Sequence, residues 1–250
     1  MRSNSCSSFP EDLLSALLLI AWLCSLAFPQ DAPPPATLPQ TPAATPTPPT
    51  AVTPPAPVIL IDAAHGGTET GAILAPDNLE KDVTLAFARR LRQDLLSRGF
   101  QARLVRDGDT LISTDQRAII ANAARPALYI CVHMTSQGAG LWIYSAILNG
   151  SNDNRGPFAD WSTAQTASIA RSRSLQQQLT ETIQKTRFPV KSLAIPLRPL
   201  NNITIPALAI EIAPANGQVS QLASPDYQSM VSAVLANAIS TVRERLESGR

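Results

Sequence analysis

Two histidines in 250 residues are few, so their surroundings carry weight. His65 follows VILID, a compact apolar run that ends in an acid, and His133 closes ALYICVH, a second apolar run. Two acids occupy comparable places. Glu80 opens a stretch of helical periodicity, and Glu211 interrupts ALAIEIA, where a carboxylate is costly to bury without a partner. Two imidazoles and a carboxylate make a zinc-binding set that leaves one position open for water. A second carboxylate close by could take that water's proton. Plainer roles are open for each residue. A histidine at a strand end can be a satisfied core or loop residue, Glu80 can favour the positive end of its helix, and Glu211 can pair with a buried arginine.

The elements that must bring these groups together alternate. The reading predicts strands over Val58–Asp62, Gln101–Arg106, Ala127–His133, Gly140–Ser145 and Ala207–Ala213. Between them it predicts helices. One runs from Glu80 to Arg98, with Val83, Phe87, Leu91 and Leu95 on one stripe and Gly99 as the stop. A second follows Ser113, whose pairing with Gln116 three residues on makes a capping box, and runs through Ala124, with Pro126 as the stop. A third spans Ala164–Thr186, carrying Leu175, Leu179 and Ile183. A fourth spans Asp226–Leu246, with Tyr227, Met230, Val234, Ile239 and Val242 available for burial. This order implies a single α/β domain, a mostly parallel twisted sheet with helices on both faces. Open sheets of that kind bind ligands at the carboxyl edge of their strands, where both histidines fall.

The N-terminal part is of another kind. Leu13–Phe28 is an uncharged apolar run of 16 residues, shorter than the roughly 20 of a membrane-spanning helix. Residues 1–28 are expected to be a signal peptide or N-terminal anchor. Twelve of the 22 prolines lie between Pro29 and Pro57, so 29–57 is expected to be an extended Pro/Ala/Thr-rich linker. Residues 58–250 then form the domain, exported to the periplasm or cell wall. The domain carries 19 basic and 16 acidic residues, too mild a balance for a nucleic-acid surface. Only Cys131 lies outside the N-terminal segment, so no internal disulfide is expected. It shares a face with His133 in the strand, but is read as a small buried residue.

Five ordered motifs complete the pattern: VILIDAAHGG over Val58–Gly67; Glu80-Lys81-Asp82 heading a helix; Arg106 to Asp109, then Arg117 and Ala121-Asn122; Cys131-Val132-His133-Met134-Thr135; and IEIAPAN over Ile210–Asn216. Together they resemble the zinc-dependent N-acetylmuramoyl-L-alanine amidases, cell-wall hydrolases. The resemblance implies a phosphorylase/hydrolase-like α/β fold and one Zn2+ per chain, held by His65, Glu80 and His133, with Glu211 as the catalytic carboxylate. It implies cleavage of the amide between the lactyl group of N-acetylmuramic acid and the L-alanine of the stem peptide. The expected partner is therefore the peptidoglycan glycan-peptide strand. Nucleic acid is not expected, membrane contact is expected only through the N-terminal segment, and a monomer is expected. Asp62, Thr135, Asn216 and Arg106 are the residues expected to support metal or substrate. For Asp62 two roles stand open, a hydrogen bond to the His65 nitrogen not used for zinc, or a cap on the loop. For Arg106, with Asp109 and Arg117, a structural network and a substrate clamp are both open.

Four residues, at three places, depart from the family pattern. Ala64 replaces the glycine before the first histidine, which costs about 1 kcal/mol or more if that turn needs the left-handed region. Thr135 stands where Asn or Asp is common, and Ala213-Pro214 replace Gly-Phe. These departures motivate two alternatives, a zinc-containing wall-binding protein that is weakly active or inactive, and a zinc peptidase acting on stem peptides. Retention of Glu211 argues against the first, and the separation of His65 and Glu80 by 15 positions against the second. Leu148–Trp161, with two glycines and a proline, is expected not to form a helix that plugs the site.

Overall fold

The structure, a computed structural model, describes residues 55–148 and 161–249. The expected signal, most of the linker and the body of the 148–161 loop lie outside the described residues. Among the described residues no helix is long and apolar enough to cross a membrane.

Among the described residues, eight strands and five α-helices follow one another. They are β1 (Val58–Ala63), β2 (Ile73–Ala75), β3 (Asn78–Leu79), α1 (Glu80–Ser97), β4 (Gln101–Leu104), α2 (Thr114–Ala124), β5 (Leu128–Met134) and β6 (Gly140–Ala146), then α3 (Ile169–Gln184), β7 (Val190–Ile195), β8 (Ala207–Ala213), α4 (Pro225–Thr241) and α5 (Arg243–Glu247). Six strands form one sheet in the order β4-β1-β5-β8-β6-β7, and β2 and β3 pair separately as a small hairpin. The ladders β4-β1, β1-β5, β5-β8 and β6-β7 are parallel. β6 runs antiparallel to β8, so the sheet is mixed but mostly parallel.

Burial explains the layering. Central strands β1, β5 and β8 are apolar on both faces, as a sheet covered on both sides requires. On one face Ile59, Ile61, Ile130, Val132 and Ile210 pack with Phe87 and Leu91 of α1, Leu179 of α3 and Leu235 of α4. On the other, Leu60, Tyr129, Cys131 and Ala209 meet Ala118 and Ala121 of α2, with Leu200 and Ile203. The apolar stripe of α1 is the predicted one. The Ser113–Gln116 capping box is present: Ser113 Oγ accepts from the Gln116 N–H, and Gln116 Oε1 from the Ser113 N–H.

Four expectations are corrected. The second strand ends at Leu104, because Arg106 leaves the sheet and turns inward. The expected 164–186 helix begins as a 3-10 turn, Trp161–Ala167, and becomes α-helical only at Ile169. In the last helix Met230 is exposed and Val231 takes the buried position, and the helix breaks at Val242 before α5. Strand β7 and the β2-β3 hairpin were not anticipated.

Candidate metal centre and catalytic edge

His65, Glu80 and His133 come from three separate elements. The chain leaves β1 at Ala63 and turns through Ala64 and His65. The left-handed residue of that turn is His65, at φ 63°, and not Ala64. Ala64 is buried, and its N–H donates to Val132 O at 3.0 Å. The cost foreseen for an alanine before the histidine therefore does not arise, and the turn places its strain on His65 itself. The next residue, Gly66, passes so close to Thr110 that a Cβ would stand 2.2 Å from its carbonyl oxygen.

Two arginines hold the turn. Arg117 of α2 donates from Nη2 to His65 O at 2.7 Å and from Nη1 to Ala63 O at 3.0 Å. Its Nη1 also pairs with Asp62, and the other Asp62 oxygen accepts from the Tyr129 hydroxyl. Asp62 is fully buried. Burial pushes its carboxyl pKa up against the opposing pull of Arg117 and Tyr129. Asp62 thus anchors Arg117: among the described residues its oxygens accept from Arg117 and Tyr129, and not from the His65 ring. Arg106 is buried beneath the same loop and donates to the carbonyls of Ala63, Ala64, Lys81 and Gly108. These four acceptors are backbone, and Thr84 Oγ1 accepts as well at 3.4 Å, so the arginine clasps the β1 turn to the start of α1. Lys81 adds a clasp, reaching Gly67 O at 2.9 Å and Asp109 at 2.7 Å, while Asp109 accepts from the Gly67 N–H.

Glu80 opens α1 and is buried. Its Oε2 lies 3.1 Å from His65 Nε2, and its Oε1 lies 3.0 Å from His133 Nδ1. The same oxygens accept from the Ala72 and Met134 N–H groups, at 2.9 and 3.2 Å. Burial works against the Glu80 anion, but the bonds from His133, His65 and Ala72 outweigh it and hold the carboxyl well below the usual carboxylate range. The two imidazole rings stand edge to face, 5.4 Å between centroids. Gly71, at φ 68°, lets the hairpin lie against this cluster, since a Cβ there would come within 2.5 Å of the His65 ring and 2.7 Å of Glu80 Oε2. Among the described residues, His65, Glu80 and His133 form a group whose donor atoms lie within 4.8 Å of one another and which could hold a metal ion. Cys131 is buried and does not belong to it.

Glu211 stands beside this group. It pairs in register with His133 across the parallel β5-β8 ladder. The two residues line one cavity of about 180 Å³ with Tyr144, Ile195 and Leu197. Among the described residues no arginine pairs with Glu211; its Oε2 accepts from the Tyr144 hydroxyl at 2.7 Å. Burial, then the neighbouring Glu211, pushes the Tyr144 phenol up. Sequence reading missed Tyr144. It lies two positions along from Trp142, the residue that faces Glu211 in register. A diagonal neighbour in a sheet is within reach of a long aromatic side chain.

Thr135 follows His133 and is tied locally, its Oγ1 accepting from the Gln137 N–H at 3.2 Å. Asn216 is exposed in the turn after β8, five positions beyond Glu211.

A mostly parallel α/β sheet with a His-Glu-His group able to hold a metal, and a further carboxylate beside it, defines a class, the α/β proteins with a candidate metal centre at the carboxyl edge of the sheet. Residues 59–241 match the family described as N-acetylmuramoyl-L-alanine amidase, and the chain belongs to that family. It is similar to the N-acetylmuramoyl-L-alanine amidase AmiA of Escherichia coli (strain K12), 41% identical over 76 residues, which are 30% of this chain and 26% of that protein. The matched stretch thus spans about a quarter of that relative's length. Two solved structures share the fold. The catalytic domain of CwlV from Bacillus (Paenibacillus) polymyxa var. colistinus superposes with a TM-score of 0.57 at 20% identity, over 75% of this chain and 98% of that one. AmiC2 of Nostoc punctiforme superposes with a TM-score of 0.59 at 22% identity, over 75% and 97%.

Proposed function

We propose that this chain hydrolyses the amide between N-acetylmuramic acid and the L-alanine of the peptidoglycan stem peptide, with one zinc ion. The observation that carries the reading is the pairing of His133 with Glu211 on adjacent strands. It places a carboxylate that belongs to no metal cluster next to one that could hold a metal. Two imidazole nitrogens and a buried anionic carboxylate are donors that suit zinc. When bound by His65, Glu80 and His133, zinc supplies a Lewis acid for the scissile carbonyl and acidifies its water.

The remaining work falls to the chain. Glu211 accepts the attacking water's proton and returns it to the departing L-alanine nitrogen, a poor leaving group until protonated. Tyr144 holds Glu211 Oε2, which leaves Oε1 as the proton acceptor. Arg117 and Arg106 keep the His65 turn in place. Thr135 and Asn216, which follow the ends of β5 and β8, are the residues proposed to meet the substrate.

The same proposal takes residues 1–28 as an export signal or anchor, 29–57 as a spacer and 58–250 as the catalytic domain of a monomer working in the periplasm or cell wall. The phosphorylase/hydrolase-like assignment is supported by the parallel β4-β1-β5-β8 order and by a site at its carboxyl edge. The test is metal analysis of the purified protein beside Glu211→Gln. Wild type and variant should each hold one zinc per chain, with hydrolysis lost only in the variant. A zinc content near zero that added zinc does not restore would overturn the site.

A further inference from the structure

The register across four strands sets out a row. His133 on β5 faces Glu211 on β8, Glu211 faces Trp142 on β6, and Trp142 faces Lys191 on β7. Metal-ligand candidate, carboxylate, indole and ammonium thus share one rung of the sheet. The Trp142 and Tyr144 rings stack, 6.4 Å between centroids, and Tyr144 in turn bonds Glu211. The Lys191 ammonium sits 4.7 Å from the centre of the Trp142 ring. The residue is exposed, and among the described residues it pairs with no carboxylate.

An ammonium resting on an indole is held in one place without being neutralised. It therefore keeps a full charge to offer, unlike Lys81, which is spent on Asp109. We propose that Lys191, seated on Trp142, is a subsite for a carboxylate on the peptide side of the substrate, borne by the second stem residue. The proposal rests on the amidase reading for the direction of the substrate and extends it to substrate choice. Neighbouring strands are about 4.8 Å apart, so the Lys191 and Glu211 backbones are separated by about 10 Å, and the lysine side chain spans part of that. One extended residue advances about 3.3–3.6 Å. A carboxylate one residue beyond the L-alanine whose nitrogen Glu211 protonates falls within reach of the ammonium. The sugar of the substrate carries no charge to match a cation at this distance, which assigns the β6-β7 side of the row to the peptide.

The test uses the full chain with zinc, in the Glu211→Gln form so that turnover does not interfere. The probes are N-acetylmuramoyl-L-alanyl-D-glutamate and its D-isoglutamine counterpart, which differ in one carboxylate against a carboxamide. Calorimetry should show the acid binding about two- to fivefold more tightly, the range of an exposed ion pair. The preference should vanish in Lys191→Met, persist in Lys191→Arg and reverse in Lys191→Glu, and in the parent it should shrink as salt is raised. Equal affinity for the two probes, a preference unchanged in Lys191→Met, or no binding of either at millimolar concentration would each overturn the subsite. Failure of the amidase reading is a separate result, seen as no hydrolysis by the unmutated enzyme whatever the affinities.

Discussion

Arg117 grips His65 by its backbone and leaves its ring free: Nη2 donates to the His65 carbonyl at 2.7 Å, while the imidazole Nε2 faces Glu80. The arginine is itself fixed by Asp62, whose second oxygen takes the Tyr129 hydroxyl. A strained, left-handed histidine is thus held through its carbonyl by the buried Arg117–Asp62 pair.

Arg117→Met should act on both fold and site. Removing one partner of a buried pair leaves Asp62 uncompensated, a loss of about 3–5 kcal/mol. Thermal unfolding of the zinc-free protein reads that part. Competition with a chromogenic chelator, run well below the melting temperature, reads the other, and zinc affinity should fall about tenfold or more. Unchanged affinity in a destabilised variant would reduce Arg117 to packing.

Tyr144→Phe should lower kcat by about tenfold, since a hydrogen bond to a charged acceptor is worth about 1.5–3 kcal/mol and Glu211 is only half-buried. Zinc content should be unchanged, because Tyr144 touches none of the three donors. Full kcat in the variant would make Tyr144 a wall of the cavity and nothing more.

The alkaline behaviour follows from all three tyrosines. Burial raises Tyr129, with Asp62 adding to it; burial and Glu211 raise Tyr144; burial pushes Tyr227 up to about 12. In the unfolded chain phenols ionise near 10. Above that pH the unfolded state therefore binds fewer protons than the folded one, and stability falls as pH rises. Absorbance titration of tyrosinate should show no step near pH 10 in the folded protein. The signal should appear together with loss of far-ultraviolet dichroism. A separate step near 10 with the fold intact would contradict the burial of these hydroxyls.

Much of this arrangement was legible in the residues. The α1 stripe, the Ser113 capping box and the apolar central strands follow from local periodicity and capping chemistry, which neighbouring elements reinforce. The gathering of His65, Glu80 and His133 follows from placing each at an element end. Other features depend on register, which no local pattern encodes. Tyr144 sits in GLWIYS as one more strand residue until β6 is laid antiparallel on β8. Strand β7 is half exposed and flanked by Pro189 and Pro196, so its alternation is weak. The strain in the first turn falls on His65 and not Ala64 because the Ala64 N–H is still committed to Val132. Asp62 turned to Arg117 because a fully buried carboxylate needs a fixed donor more than a half-exposed imidazole needs a tautomer lock.

The central claim is tested most directly by the products released from purified peptidoglycan. The zinc-loaded enzyme should liberate stem peptides bearing a free L-alanine amino terminus and leave glycan strands with intact lactyl carboxylates. Chelation should stop the release and added zinc restore it, while Glu211→Gln should release none at any zinc concentration. Cleavage within the stem peptide, or release that survives in Glu211→Gln, would contradict the account.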